Sequence, residues 1–172
     1  ILDKAEMSEE EIQKQVKDTL ARLTNKPKST GAKHRMLGLP REEEFVGEGI
    51  SFCAVCDGSF FADKSVAVIG GGNTALQEAV MLSKLCTKVT VVQNLAYLTG
   101  EKTTADALVA RDNVEVIYST VVKEFKGTEE LEAVVLKRED GTEQTLTPDG
   151  VFVAIGLAPE NTAFENLAEL NE

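Results

Sequence analysis

Cys53 and Cys56, followed at once by Asp57, are the residues of this sequence whose types and spacing could do chemistry. A CxxC pair can close a small disulfide, and in exchange one thiolate attacks a partner's disulfide while the other resolves the mixed disulfide. Asp57, next in the chain, is placed to give and take the proton of the thiol that leaves or is regenerated. Metal binding is the competing use of such a pair. A zinc site needs two more ligands, and the remaining cysteine, Cys86, and the lone histidine, His34, are not suitably spaced, so no metal site is expected. Cys86 reads as a buried residue at a helix end, and His34, between Lys33 and Arg35, as a surface side chain.

Shortly after the cysteines comes Gly70-Gly71-Gly72-Asn73-Thr74-Ala75, a Gly-x-Gly-x-x-Ala turn preceded by the Val/Ile-rich run Ser65 to Ile69. In a dinucleotide-binding turn the first glycine allows the tight strand-to-helix corner, the second lets backbone approach a pyrophosphate, and a small third residue lets helix and strand pack closely. Gly70, Gly72, Asn73, Thr74 and Ala75 are therefore candidate cofactor contacts, with the N–H groups and positive end of the following helix facing the phosphates. The second strand should then end in an acidic residue for NAD or lead to arginine for the 2′-phosphate of NADP. Here it ends in Gln93-Asn94-Leu95, with Thr99 further on. Gln93 or Asn94 could hydrogen-bond a ribose hydroxyl, but neither offers a charge to a phosphate dianion, so binding of NADPH or NADH is expected to be weak.

The elements that must position these residues follow from periodicity. Ser65 to Ile69 reads as a buried strand, Gly72 to about Cys86 as a helix, Lys88 to Gln93 as a strand, Glu101 to Ala110 as a helix and Val114 to Tyr118 as a strand. Thr120 to Phe125 and Leu131 to Arg138, joined through Gly127, form the start of an antiparallel meander that turns at Asp140-Gly141 into Gln144 to Leu146. Val151 to Ile155 is a last buried strand. The fold expected is α/β, a Rossmann-like three-layer nucleotide-binding domain with a parallel sheet plus an antiparallel β-meander. Ahead of it, Ser8 and Glu11 match a capping box, and Ile12, Val16, Leu20 and Leu23 share one face of an extra N-terminal amphipathic helix, read as a packing helix. The division expected is residues 1–28 as that helical segment, 29–157 as the CxxC-containing domain, and 158–172 as a C-terminal tail. Residues 29–48 read as a loop, with the acidic run Glu42 to Glu44 as a solvated face.

The bulk properties narrow the class. With 172 residues, 42% of them apolar, the chain can bury one substantial core. A net charge of −11 repels polyphosphate backbones, so nucleic acid is not an expected partner. No run is long enough to span a membrane, and no basic segment precedes an apolar one at the start, so the cytoplasm is the expected compartment.

Four motifs in order resemble the pyridine-nucleotide domain of the low-molecular-weight thioredoxin reductases, a family of FAD-dependent pyridine nucleotide-disulfide oxidoreductases. Thr30-Gly31-Ala32 resembles its crossover into that domain, Cys53 to Gly58 its CATCDG site, Gly70 to Ala75 its GGGNTA turn, and Val151 to Gly156 the strand leading back to the flavin domain. The resemblance implies that Cys53 attacks the thioredoxin disulfide, Cys56 faces the flavin, Asp57 is the acid–base residue, and Gly156 belongs to the cofactor contacts. It implies electrons passing through FAD to Cys53 and Cys56 and then to a thioredoxin-like protein, and it is compatible with a homodimer. The family's basic HRRxxxR element falls on Gln93 to Thr99, which retains none of it. No second glycine fingerprint precedes Thr30, so the flavin domain itself is expected to be missing from this chain. Two alternatives remain open at this point. One is a reductase fed by ferredoxin or another flavoprotein without pyridine nucleotide, and the other is an isolated nucleotide-fold module without catalysis of its own.

Overall fold

The computed structural model describes residues 32–159; the expected N-terminal helix and most of the C-terminal tail lie outside them. Five strands, β2 (Ile50–Ser51), β3 (Ser65–Ile69), β4 (Lys88–Val92), β5 (Val114–Ile117) and β9 (Gly150–Val153), form an all-parallel sheet in the order β2-β9-β3-β4-β5. Strands β6 (Thr120–Gly127), β7 (Leu131–Arg138) and β8 (Glu143–Leu146) form a separate antiparallel sheet, and β1 (Ala32–His34) pairs with β10 (Leu157–Pro159). The helices are α1 (Ala54–Asp57), α2 (Asn73–Leu82) and α3 (Lys102–Val109), with a 3-10 turn at Gly58–Phe61 after α1.

Because successive strand residues point to opposite faces, β3 divides its side chains between two cores. Ala67 and Ile69 pack with Val151 and Val153 against Phe125, Val134 and Leu136 of the meander. Val66 and Val68 pack with Val89, Val91 and Phe152 against Ala75, Leu76, Ala79 and Leu82 of α2 and Leu108 of α3. Both faces of the parallel sheet are thus covered, which is why its strands read as continuous apolar runs. The order of layers is helices, parallel sheet, antiparallel sheet, as the sequence pattern predicts.

Three local readings are corrected. The helix after the glycine turn stops at Leu82, short of Cys86, because the carbonyls of Ser83 and Cys86 accept from Asn113 Nδ2 at 2.8 and 3.0 Å and hold residues 83–87 as a turn. Within the supposed loop of residues 29–48, Ala32–His34 is a strand. Glu42 is not solvated: it is 1% exposed, and its carboxylate accepts the backbone N–H groups of Leu37, Gly38 and Leu39 at 2.9, 2.8 and 3.2 Å. Three amide donors offset the cost of burying that charge. Glu43 and Glu44 remain exposed.

Candidate functional site

In a parallel sheet every strand ends on the same side, and ligands bind beyond the carboxyl ends. Here β2 leads into Cys53, β3 into Gly70, β4 into Gln93 and β9 into Gly156, so both candidate sites lie at one end of the sheet.

Cys53 and Cys56 are joined by a disulfide across the first turn of α1. Cys53 is the N-cap, and its Sγ accepts the Cys56 backbone N–H at 3.2 Å. Asp57 ends α1, and its Oδ2 accepts the Ser51 hydroxyl at 2.6 Å. The turn is anchored from below. Phe61 meets Phe152 edge to face, 5.4 Å between ring centres, over Gly150, where any Cβ would collide with the Phe61 ring. From α2, the Glu78 carboxylate accepts the Ala54 backbone N–H, while its Oε2 is buried without a partner. Burial pushes the Glu78 carboxyl above the usual carboxylate range, and the Ala54 bond only partly opposes this. Beside the disulfide, Val55 and Phe60 are 80% and 68% exposed.

The glycine turn opens onto a cavity of about 660 Å³ lined by Gly70, Gly71, Gly72, Asn73, Thr74, Gln93, Asn94 and Gly156, among others. Gly70 has φ +130°, and a Cβ there would lie 2.5 Å from the Ala154 carbonyl oxygen, so only glycine fits. Gly72 precedes α2 with no side-chain cap, leaving the first N–H groups of that helix facing the cavity. Ala75 does not line it; the residue is fully buried and gives α2 its close approach to the sheet. The loop after β4 is tied to the turn: Thr99 and Gly100 donate backbone N–H groups to the Gly71 carbonyl at 2.8 and 3.0 Å, and Asn73 Oδ1 accepts the Glu101 N–H at 2.6 Å. Asn73 is therefore committed through that oxygen to the start of α3. Gln93 is 3% exposed and its Nε2 donates to the Tyr97 carbonyl at 3.0 Å, which leaves Asn94 as the exposed polar side chain at that point.

The structure thus brings Gly70, Gly72, Asn73, Thr74, Gln93 and Gly156 around one cavity, and sets Cys53, Cys56 and Asp57 on a separate turn outside it. Sequence reasoning missed Ser51 and Glu78. Ser51 sits two residues before Cys53, a spacing that could have suggested a shared strand face, whereas nothing local marks Glu78. Cys86 is buried as expected; its thiol donates to the Phe61 carbonyl at 3.2 Å, and burial pushes its pKa up, aided by Asp149 and Asp63. His34 is exposed and stacks on Phe52. Among the described residues no cluster of three or more metal-ligating side chains forms, and no helix is long and apolar enough to cross a membrane.

Comparison with known proteins agrees with this arrangement. Thioredoxin reductase from Coxiella burnetii is 41% identical over 150 residues, covering 84% of this chain and 47% of that protein. A 34.2 kDa protein in the rubredoxin operon of Clostridium pasteurianum is 32% identical over 172 residues, covering 99% of this chain and 56% of that protein. The crystal structure of Lactococcus lactis thioredoxin reductase superposes with a TM-score of 0.77 at 33% identity, covering 80% of this chain and 46% of the other. The chain spans about half the length of the curated relatives it matches. The family profile for pyridine nucleotide-disulphide oxidoreductases matches residues 29–171, and with a CxxC disulfide and a dinucleotide turn on one end of the sheet, the chain belongs to that family.

Proposed function

We propose that this chain is the dithiol and nucleotide-binding part of a thioredoxin-reductase-like disulfide oxidoreductase whose acceptor is a thioredoxin-like protein. The observation that carries the reading is the Cys53–Cys56 disulfide at the start of α1, with Asp57 anchored on the same turn and two exposed apolar side chains beside it. In the reduced state the Cys53 thiolate bonds to one sulfur of the acceptor's disulfide, that disulfide breaks, and the departing sulfur leaves as a thiolate. Cys56 then gives up its proton and bonds to Cys53 Sγ, releasing the acceptor's second sulfur. Asp57 carries the proton from Cys56 to the departing thiolate. The pair loses two electrons and the acceptor gains two.

A nicotinamide dinucleotide would be held at its pyrophosphate by the Gly70 to Gly72 backbone and the first turn of α2, and would supply hydride when bound. The ribose end would meet the neutral Gln93-Asn94-Leu95 segment, and Arg35 is the one charged side chain lining the same cavity. FAD is assigned by family resemblance; the described residues contain one dinucleotide turn, and the exchange steps belong to the thiols and the carboxyl. A donor other than pyridine nucleotide is the second reading, favoured by the neutral Gln93-Asn94-Leu95 segment. The cytoplasm is the compartment proposed, since this exchange chemistry runs on a reducible disulfide.

The test is single-turnover. The chain is reduced, freed of reductant and mixed with oxidised thioredoxin, and both proteins are then alkylated and weighed. Stoichiometric transfer of the disulfide is expected, slowed about a hundredfold in Asp57→Asn. Absence of transfer, or stoichiometric zinc on the two cysteines, would overturn the proposal.

A further inference from the structure

Ser51, the last residue of β2, takes no part in the exchange steps, yet its hydroxyl lies between the two halves of the disulfide turn. It is 7% exposed. Its Oγ accepts the Cys53 backbone N–H at 3.1 Å and donates to Asp57 Oδ2 at 2.6 Å. A serine hydroxyl has one hydrogen to give. With an N–H directed at its oxygen and a carboxylate oxygen 2.6 Å away, that hydrogen is committed to Asp57. The result is a one-directional chain from the Cys53 N–H through the Ser51 O–H to Oδ2.

We infer that Ser51 is the positioning residue for Asp57, orienting its carboxyl against the Cys53–Cys56 turn and reserving Oδ1 as the oxygen that carries the proton during exchange. The assignment rests on the proposed dithiol function. Its logic is that of a polarised hydrogen-bond chain. Because Oδ2 is occupied by a donor, a proton arriving from Cys56 loads on Oδ1, and the Ser51 bond survives both protonation states. The Cys53 N–H, directed at the same oxygen, is what leaves the Ser51 hydrogen to Asp57 alone, so the serine acts on exchange through the carboxyl. Without Ser51 the carboxyl is free to rotate about its own side chain, and proton delivery loses its fixed geometry.

The chemistry of the leaving sulfur separates this role from a merely structural one. An aliphatic disulfide such as oxidised glutathione releases a basic thiolate, whose departure is helped by a delivered proton. Dipyridyl disulfide releases a weakly basic thiolate that needs none. The reduced full chain, freed of reductant, is mixed with each compound in stopped flow, for wild type, Ser51→Ala, Ser51→Thr, Asp57→Asn and the Ser51→Ala, Asp57→Asn double variant. Ser51→Ala is expected to slow exchange with oxidised glutathione about tenfold while leaving release of the first pyridyl thiolate unchanged, which also shows that the turn remains folded. Ser51→Thr keeps the hydroxyl and should restore most of the loss. In the double variant the serine change should add nothing to Asp57→Asn, because Ser51 acts through that carboxyl. Equal slowing with both disulfides, or a tenfold effect that persists in the Asp57→Asn background, would overturn the inference and leave Ser51 a structural residue. If Asp57→Asn itself matched wild type with oxidised glutathione, the acid–base reading would fail and the role of Ser51 with it. Failure of the wild-type chain to exchange with either compound would instead refute the dithiol function.

Discussion

Replacing Asn94 and Leu95 together with arginine should turn an indifferent nucleotide site into one that prefers NADPH. The choice of positions comes from the structure. Gln93, the first residue past β4, is 3% exposed and holds the Tyr97 carbonyl, so a larger or charged side chain there would break the loop rather than reach a ligand. Asn94 and Leu95 line the cavity and are exposed, Leu95 at 39%. A 2′-phosphate carries close to two negative charges, and a hydrogen bond to a charged group contributes about 1.5 to 3 kcal/mol. Exposure places both new contacts at the low end, so two of them give about 3 kcal/mol, or roughly a hundredfold in Kd. NADH lacks the phosphate and should gain less than about threefold, from general attraction alone. Calorimetric titration of both nucleotides into wild type and the double variant measures the effect. Repeating it at high salt should erode the selectivity, since the pairs are solvent-exposed. Tenfold or greater discrimination for NADPH by the unmodified chain, or equal gains for the two nucleotides in the variant, would refute the reasoning.

Three further outcomes follow from particular contacts. Glu78 is held above the usual carboxylate range by burial, so the folded state keeps its proton longer than the unfolded chain does; the cost of ionising it is absent at acid pH and grows as pH rises above about 4. Glu78→Gln, which keeps an acceptor for the Ala54 N–H, should therefore gain in melting temperature relative to wild type between acid and neutral pH, and a difference that is flat or falls with pH would contradict this. A Cβ on Gly71 would lie 2.5 Å from Gln93 Cδ, so Gly71→Ala should cost about 1 to 3 kcal/mol in denaturant unfolding by dislodging a buried amide from its partner, and Gln93→Ala should recover about half of it. Incubation with NADPH or NADH alone should leave the Cys53–Cys56 disulfide closed to alkylation, because neither cysteine lines the nucleotide cavity; opening of the disulfide by nucleotide alone would show a direct path.

What was legible in the sequence is what local chemistry determines. The run Val66 to Ile69 needed burial on both faces, and the Gly70 corner admits no side chain, so strand, turn and helix were readable together. What escaped depends on partners far along the chain. The end of α2 is set by Asn113, about thirty residues away, through the carbonyls of Ser83 and Cys86. Glu42 looked solvated beside Glu43 and Glu44 because nothing in its neighbours reveals that three backbone amides converge on it. Gln93 stood at the expected ribose position, but its amide is taken by the loop that it closes. In each case composition identified the residue type correctly, and the tertiary partner decided what the residue does.

The helix α2 joins the two sites, and the join constrains how electrons can move. Its first turn faces the nucleotide cavity, while Glu78, five residues on, holds the Ala54 N–H at the start of the disulfide turn. At 1.5 Å per residue these points are about 8 Å apart along one rigid axis. Both are packed into the same core through Ala75, Ala79 and Leu82, so neither can move toward the other without unfolding the helix layer. In the proposed function a hydride donor in the cavity and the disulfide therefore keep a fixed separation. In that reading electrons would pass between them through a carrier that meets each in turn, the part which family resemblance gives to flavin. In that reading Val55 and Phe60, exposed on the disulfide turn and absent from the cavity lining, stay clear of the nucleotide. A disulfide built into the cavity wall would shorten the electron path but would shut a protein substrate out. Placing it on an exposed turn at the same sheet end leaves it open to a protein partner and to the carrier.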